Sequence, residues 1–228
     1  MVVYTSLQPH ADALPPRHGT HATSRLYVMT ILVGDSGVGK TSFLVQFEQG
    51  KFTAGSFSAT VGIGFTNLAL HCAMLTQLNK IDLITVTRSG IRQGQERFRS
   101  VTHAYYRDAH ALLLLYDVTN RHSFDNIRAW LSEINEYAQE DVVIMLIGNK
   151  CDVTSERLIR KEDGEKLARD HGVPFMETSA KSGVNVDLAF MAVARDLKSR
   201  KTRRPNEPKF NVTEYVNSEK KQTSTCCS

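Results

Sequence analysis

The chain has 228 residues, 41% of them apolar, with a formal net charge of +4 and four cysteines. That length and apolar content support one domain with a proper core plus tails. No apolar run approaches the roughly 20 residues needed to span a bilayer, and Cys72 and Cys151 have neither metal-ligand spacing nor a secretory context, so no chemistry is assigned to them.

Residues 1–25 are polar and rich in His, Pro and Ala, without the apolar core of a signal peptide, and are expected to form a disordered extension. Tyr27 to Val33 is an apolar run that reads as a buried strand. It feeds directly into Gly34-Asp35-Ser36-Gly37-Val38-Gly39-Lys40-Thr41, the pattern G-x-x-x-x-G-K-[ST]. Small residues let successive backbone N–H groups converge on phosphate oxygens, and the following helix adds its positive dipole end. Ser36, Gly37, Val38, Gly39, Lys40, Thr41 and Ser42 are therefore the expected phosphate contacts. Lys40 reaches the β- and γ-phosphates, and the Thr41 hydroxyl is placed to ligate Mg²⁺. The ligand this predicts is a nucleoside phosphate.

Two further strand-like runs follow, Asn67 to Met74 and Lys80 to Thr87, with a turn expected near Gln77-Leu78-Asn79. Neither alternates cleanly, so their register cannot be read from the sequence. Ala111 to Tyr116 reads as a central strand. Ser123 is the expected N-cap of a helix with Phe124, Ile127, Leu131 and Ile134 on one face, and Trp130, beside that stripe, is assigned to packing.

Val142 to Ile147 is a continuous apolar run ending in Gly148-Asn149-Lys150-Cys151-Asp152. At the carboxyl edge of a parallel sheet, Asp152 is suited to accept from both N1–H and N2–H of guanine. Adenine lacks that donor pair and leaves the carboxylate unpaired. The Lys150 stem is expected over the base, and Asn149 is expected to tie this loop to the phosphate loop. Val173 to Glu177 then leads into Thr178-Ser179-Ala180-Lys181, whose Ala180 N–H is a candidate donor to guanine O6, with Ser179 and Lys181 beside it. Leu188, Met191, Ala192 and Leu197 form part of a last helix face. Strands alternating with helices predict an α/β fold with a largely parallel sheet and helices on both faces, and ligands sit at the strand carboxyl ends of such sheets.

Beyond these motifs, the segments Glu96 to Thr102, Tyr105 to Ala109 and Leu115 to Thr119 resemble the wording of the Rab branch of the Ras-superfamily small GTPases, most closely the Rabs of secretory granules and vesicles. The resemblance covers roughly residues 26–65 and 94–199. It implies a P-loop NTPase G domain over residues 26–199, with a mostly parallel six-stranded sheet. It also implies Mg²⁺-dependent GTP binding and hydrolysis, and a membrane-anchored switch in vesicle traffic and regulated secretion. Thr60, 19 residues past Thr41, takes the position that binds Mg²⁺ and the γ-phosphate; Phe52 takes the position that packs on the guanine ring. Gly94 is placed to donate its N–H to the γ-phosphate and Gln95 to orient the attacking water. Partners implied are an exchange factor, a GAP, a GDI or escort protein and effectors, on the cytoplasmic face of vesicle, granule or Golgi membranes and in exchange with the cytosol.

Residues 66–93 depart from this wording and return to it abruptly at Gly94, and the expectation drawn from that break is retained intron sequence or a mispredicted exon. Where Rabs carry Trp-Asp-Thr-Ala, this chain has Gly90-Ile91-Arg92-Gln93, so Ile91 replaces the Asp that supports Mg²⁺ through water. The nearest upstream carboxylate, Asp82, lies twelve residues before Gly94. A guanine-nucleotide-binding module with impaired hydrolysis is thus the alternative to an active enzyme.

Residues 200–228 are expected to be a flexible basic tail. Between Lys198 and Lys221 there are eight Lys/Arg and three Glu, a net of +5 that leaves the rest of the chain near neutral. That distribution argues against nucleic acid as a partner and suits an anionic membrane surface, where each basic residue contributes about 1 kcal/mol. The ending Thr225-Cys226-Cys227-Ser228 resembles the double prenylation site of Rabs, with Cys226 and Cys227 lipidated.

Overall fold

A computed structural model of the chain describes residues 27–53, 63–68, 80–86, 105–202 and 211–224. The strands are β1 (Tyr27–Val33), β2 (Ile63–Leu68), β3 (Lys80–Val86), β4 (Ala111–Asp117), β5 (Val143–Asn149) and β6 (Phe175–Glu177). The helices of the described residues are α1 (Lys40–Gln49), α2 (Arg121–Asp125), α3 (Ile127–Tyr137), α4 (Lys161–Asp170), α5 (Val186–Thr202) and α6 (Val212–Ser224). The sheet has six strands in the order β2-β3-β1-β4-β5-β6, parallel except for the β2–β3 pair. This is the α/β architecture the sequence predicts.

Successive strand residues point to opposite faces, and β4 is buried on both, as an all-apolar run requires. Leu113 and Leu115 join Leu32, Met145 and Ile147 on the face covered by α1, α5 and α6. Leu112, Leu114 and Tyr116 join Ile31, Val33 and Leu146 on the face covered by α2, α3 and α4. Each fully buried Leu or Ile contributes about 1.5–3 kcal/mol, so these two layers dominate the stability. On the first face, Phe47 stacks on Phe190 at 3.9 Å between ring centroids and Phe43 meets the same ring at 5.3 Å, which seats α1 on α5. The helix carrying Lys40 and Thr41 is therefore anchored by its far end.

Three elements differ from the sequence reading. The β2–β3 pair forms, but its first arm begins at Ile63, four residues before the expected start at Asn67, with Leu68 opposite Ile81 and Ile63 opposite Val86; residues 69–74 of the expected arm lie outside the described residues. The expected turn at 77–79 lies outside the described residues. The cap expected at Ser123 belongs to Asn120, whose side chain accepts from the Ser123 N–H at 3.2 Å; Ser123 Oγ instead donates to the Asn120 carbonyl inside the first turn. The tail expected to be flexible carries α6. Val212 and Val216 are buried against the core, and the Arg195 guanidinium lies 4.3 Å from the Tyr215 ring centroid. Apolar residues at i, i+3 and i+4 give that segment a face to bury.

Candidate functional site

The carboxyl ends of β1, β4, β5 and β6 lie side by side, and those of β1, β5 and β6 are each followed by one of the motif loops. The first of these loops depends on two glycines. Gly34 has φ +140°, and a Cβ there would run into the Leu115 carbonyl; Gly39 has φ +94°, and a Cβ would stand 2.5 Å from Asn149 Nδ2. Neither conformation nor space is open to an L side chain. Gly39 is also the N-cap of α1, with no side chain capping the first turn and no acidic residue in it. A helix start with neither a side-chain cap nor an acidic residue suits an anion.

Lys40 is buried at 4% exposure, its Nζ donating to the carbonyls of Gly34 at 2.8 Å and Asp35 at 2.6 Å. Burial lowers its pKa from 10.5 to about 7, with the Asp35 carboxylate opposing the shift. Ser36, Thr41 and Ser42 are half-buried, Gly37 is exposed, and Val38 is buried beneath the loop.

Asn149, fully buried at the end of β5, joins three segments. Its Nδ2 donates to the Val38 carbonyl at 2.8 Å, and its Oδ1 accepts from Ala180 N at 3.2 Å and Thr178 Oγ1 at 3.3 Å. The expected tie between the β5 loop and the phosphate loop is present. The Ala180 N–H, expected to face guanine O6, is given to Asn149 and must be shared or released to reach a base. Lys150 follows in the left-handed region with φ +65°, and its Nζ pairs with Asp117 Oδ2 at 2.6 Å. Asp152 is exposed and fixed at one oxygen, where Oδ1 accepts from Ser179 Oγ at 2.6 Å, while Ser179 Oγ accepts from Ser182 N at 3.0 Å. A carboxylate held this way on a loop edge can meet the paired N–H donors of a guanine. Lys181 is exposed beside it, and Phe52 is 39% exposed.

Thr60, Gly94, Gln95, Cys226 and Cys227 lie outside the described residues, as do Ile91 and Cys72. Cys151 is half-buried, and burial pushes its thiol pKa up, consistent with no role in chemistry.

The sequence reading missed several residues. Asp117 caps its own turn, accepting from Thr119 N at 2.8 Å and Thr119 Oγ1 at 2.7 Å with Oδ1 while Oδ2 holds Lys150. Arg157 and Glu177 form a two-pronged pair at 2.7 and 3.0 Å that joins the segments after β5 and before Thr178. Asp35 reaches out of the phosphate loop to Asn126 and Trp130. A charged residue next to each motif was the available signal, but the partners are distant in sequence.

No group of three or more His, Cys, Asp or Glu suited to a metal occurs among the described residues. The Thr41 hydroxyl, on the uncapped first turn of α1, is a hard oxygen donor. Mg²⁺ takes such an oxygen alongside phosphate oxygens and draws few ligands from protein carboxylates, so Thr41 suits that ion; the second expected ligand, Thr60, is not among the described residues.

The family model of the Ras family matches residues 29–199. The chain is 60% identical to the Ras-related protein Rab-37 of Mus musculus over 204 residues, covering 87% of this chain and 85% of that protein. It is 60% identical to Rab-26 of Rattus norvegicus over 197 residues, covering 86% and 73%. It is 42% identical to Rab-8B of Dictyostelium discoideum over 206 residues, covering 88% and 93%.

Proposed function

The chain belongs to the Ras family, in its Rab branch of vesicle-traffic GTPases, and from that premise we propose that it holds GTP or GDP with Mg²⁺ at the loops after β1, β5 and β6 and acts as a membrane-anchored switch. The observation that carries the reading is the Asn149 junction, which couples the phosphate loop to the base-reading loops through three buried hydrogen bonds.

In this reading the N–H groups from Ser36 to Ser42 cradle the phosphates, and Lys40 lies against the β- and γ-oxygens. The ion neutralises charge on those oxygens when bound. Thr41 and Thr60 are its protein ligands. Asp152 selects guanine, Lys150 flanks the base with its ammonium fixed by Asp117, and Phe52 covers the ring's other side. Gly94 gives its N–H to the γ-phosphate, and Gln95 orients the water for hydrolysis. Release of the γ-phosphate frees the two switch loops, changing what an effector meets. Exchange factor, GAP, GDI or escort protein and effectors are the partners. Cys226 and Cys227 carry the lipid that returns the protein to vesicle, granule or Golgi membranes.

One observation favours a second reading, nucleotide binding with impaired hydrolysis. Asp82 lies level with Met29 in the middle of β1, while Thr85 lies level with Leu32 near the phosphate loop. From Asp82 to Val86, the loop-side end of β3, is about 13 Å of strand. That separation argues against Asp82 standing in for the carboxylate missing at Ile91.

The two readings separate in one assay. The protein is loaded with GTP and Mg²⁺, and bound nucleotide and released phosphate are followed with and without a Rab GAP. The switch reading expects GAP-stimulated phosphate release. Retention of intact GTP with the GAP present supports the second reading, and no retention of guanine nucleotide removes both.

A further inference from the structure

An acidic residue in a loop that receives a polyphosphate is electrostatically unfavourable unless its carboxylate is drawn aside and its lone pairs are filled. Asp35 meets both conditions. Its Oδ2 accepts from Asn126 Nδ2 at 2.6 Å and its Oδ1 from Trp130 Nε1 at 2.9 Å, and the side chain is only 13% exposed. Trp130 is 2% exposed in α3, and Asn126 is the N-cap of that helix. The His122 ring stands 3.4 Å from Oδ2 and 3.0 Å from Asn126 Nδ2, completing the joint between α2 and α3. On the opposite side, the Asp35 main-chain carbonyl accepts from Lys40 Nζ. One residue is thus gripped by a helix through its carboxylate and by the phosphate-binding lysine through its backbone.

We propose that Asp35 is a positioning residue: through Asn126 and Trp130 it fixes the phosphate loop to the α2–α3 joint and so sets how slowly a nucleoside diphosphate leaves. The inference rests on the guanine-nucleotide reading above, but it concerns a contact outside the cradle itself. Asp35 touches no phosphate in this scheme; it holds the segment whose N–H groups do. Hydrogen bonds to a charged group are stronger than neutral ones, and removing one partner leaves the others partly desolvated and unsatisfied.

Trp130 is the chain's single tryptophan, which makes the contact directly observable. In ¹H–¹⁵N spectra of the full-length GDP-bound protein, the one indole N–H should resonate downfield and move upfield in Asp35→Ala. Dissociation of labelled GDP should accelerate about tenfold in Asp35→Ala and in Asn126→Ala. Adding Asn126→Ala to Asp35→Ala should accelerate it little further, because both changes break one joint. Asp35→Asn should restore a rate within about threefold of wild type, since its amide oxygen still accepts from the indole and the Asn126 amide can turn to face it. Trp130→Phe removes the donor but also shrinks a buried ring, so it should release GDP faster and melt at a lower temperature; Leu131→Ala, which truncates the core face of the same helix and leaves the joint's hydrogen bonds in place, should melt lower yet hold GDP at near the wild-type rate, which separates positioning from folding. Wild-type protein that takes up no GDP overturns the nucleotide reading and this proposal together. If wild type retains GDP and Asp35→Ala and Trp130→Phe both release it at the wild-type rate, the positioning role alone is overturned. An indole resonance unmoved by Asp35→Ala overturns the contact itself.

Discussion

Asn149 Nδ2 lies 2.8 Å from the Val38 carbonyl, 111 residues away in the chain, and the same side chain accepts from Ala180 and Thr178. Three loops from three strands are therefore held by one buried amide. Gly39 exists partly to admit it, since a Cβ there would collide with Nδ2.

Replacing Asn149 by Ala leaves the Val38 carbonyl and the Thr178 hydroxyl unsatisfied in the interior. Each such group costs about 1–3 kcal/mol. The expected outcome is GDP dissociation at least about tenfold faster and a lower melting temperature, checked by displacement of labelled GDP and by thermal denaturation.

Lys40 carries the pH dependence. Its pKa falls from 10.5 to about 7 on folding, because burial penalises the ammonium. Between those values the unfolded chain holds more protons than the folded one, so this group makes stability rise with pH above about 7, and its penalty is fully present below. A polyphosphate against Nζ favours the ammonium. Binding of GDP at pH 8 should then take up a proton, and affinity should fall as pH rises above about 7. Calorimetry in two buffers of different ionisation enthalpy measures that uptake; Lys40→Met should abolish it.

The core contains a matched set of a different kind. The Tyr116 hydroxyl is buried with no hydrogen-bond partner among the described residues, and its pKa is raised by burial. Gly148 and Gly164 leave it room: a Cβ at Gly148 would stand 2.8 Å from that oxygen, and one at Gly164 would overlap it and stand 2.6 Å from the Phe175 ring. Tyr116→Phe removes an unsatisfied polar group and should leave stability unchanged or raise it by up to about 1 kcal/mol. Gly164→Ala, despite the better helix propensity of Ala, should destabilise by about 1–3 kcal/mol through overpacking. Urea denaturation of both variants checks the pair.

What the sequence discloses follows from how local each constraint is. The phosphate loop and the Asn149-Lys150-Cys151-Asp152 loop are contiguous, and their backbone demands fall on residues that are neighbours in the chain, so they are legible. Strands β1, β4 and β5 are legible because burial on both faces demands unbroken apolar runs. The β2 boundaries are not, since Asn67 to Met74 has no clean alternation to place a register. Asp117 and Lys150, 33 positions apart, form a contact that only the sheet order creates. Trp130 sits in a helical stripe whose pattern reports burial, and its indole N–H is directed by where the phosphate loop begins, which helix periodicity does not encode. The seat of α6 was readable in Val212, Tyr215 and Val216, but the basic residues around them pointed to a solvated tail.

The central claim is that an amide cradle holds the phosphates while Asp152 authenticates the base. Calorimetric titration of wild type and Asp152→Asn with GDP and with xanthosine diphosphate tests it most directly. Xanthine carries a carbonyl where guanine carries its C2 amine, so an Asn amide at 152 matches it and mismatches guanine. The account predicts that Asp152→Asn loses GDP affinity by about a hundredfold or more and gains affinity for the xanthine nucleotide. Unchanged preference for GDP in the variant, or no GDP uptake by folded wild type, would contradict it.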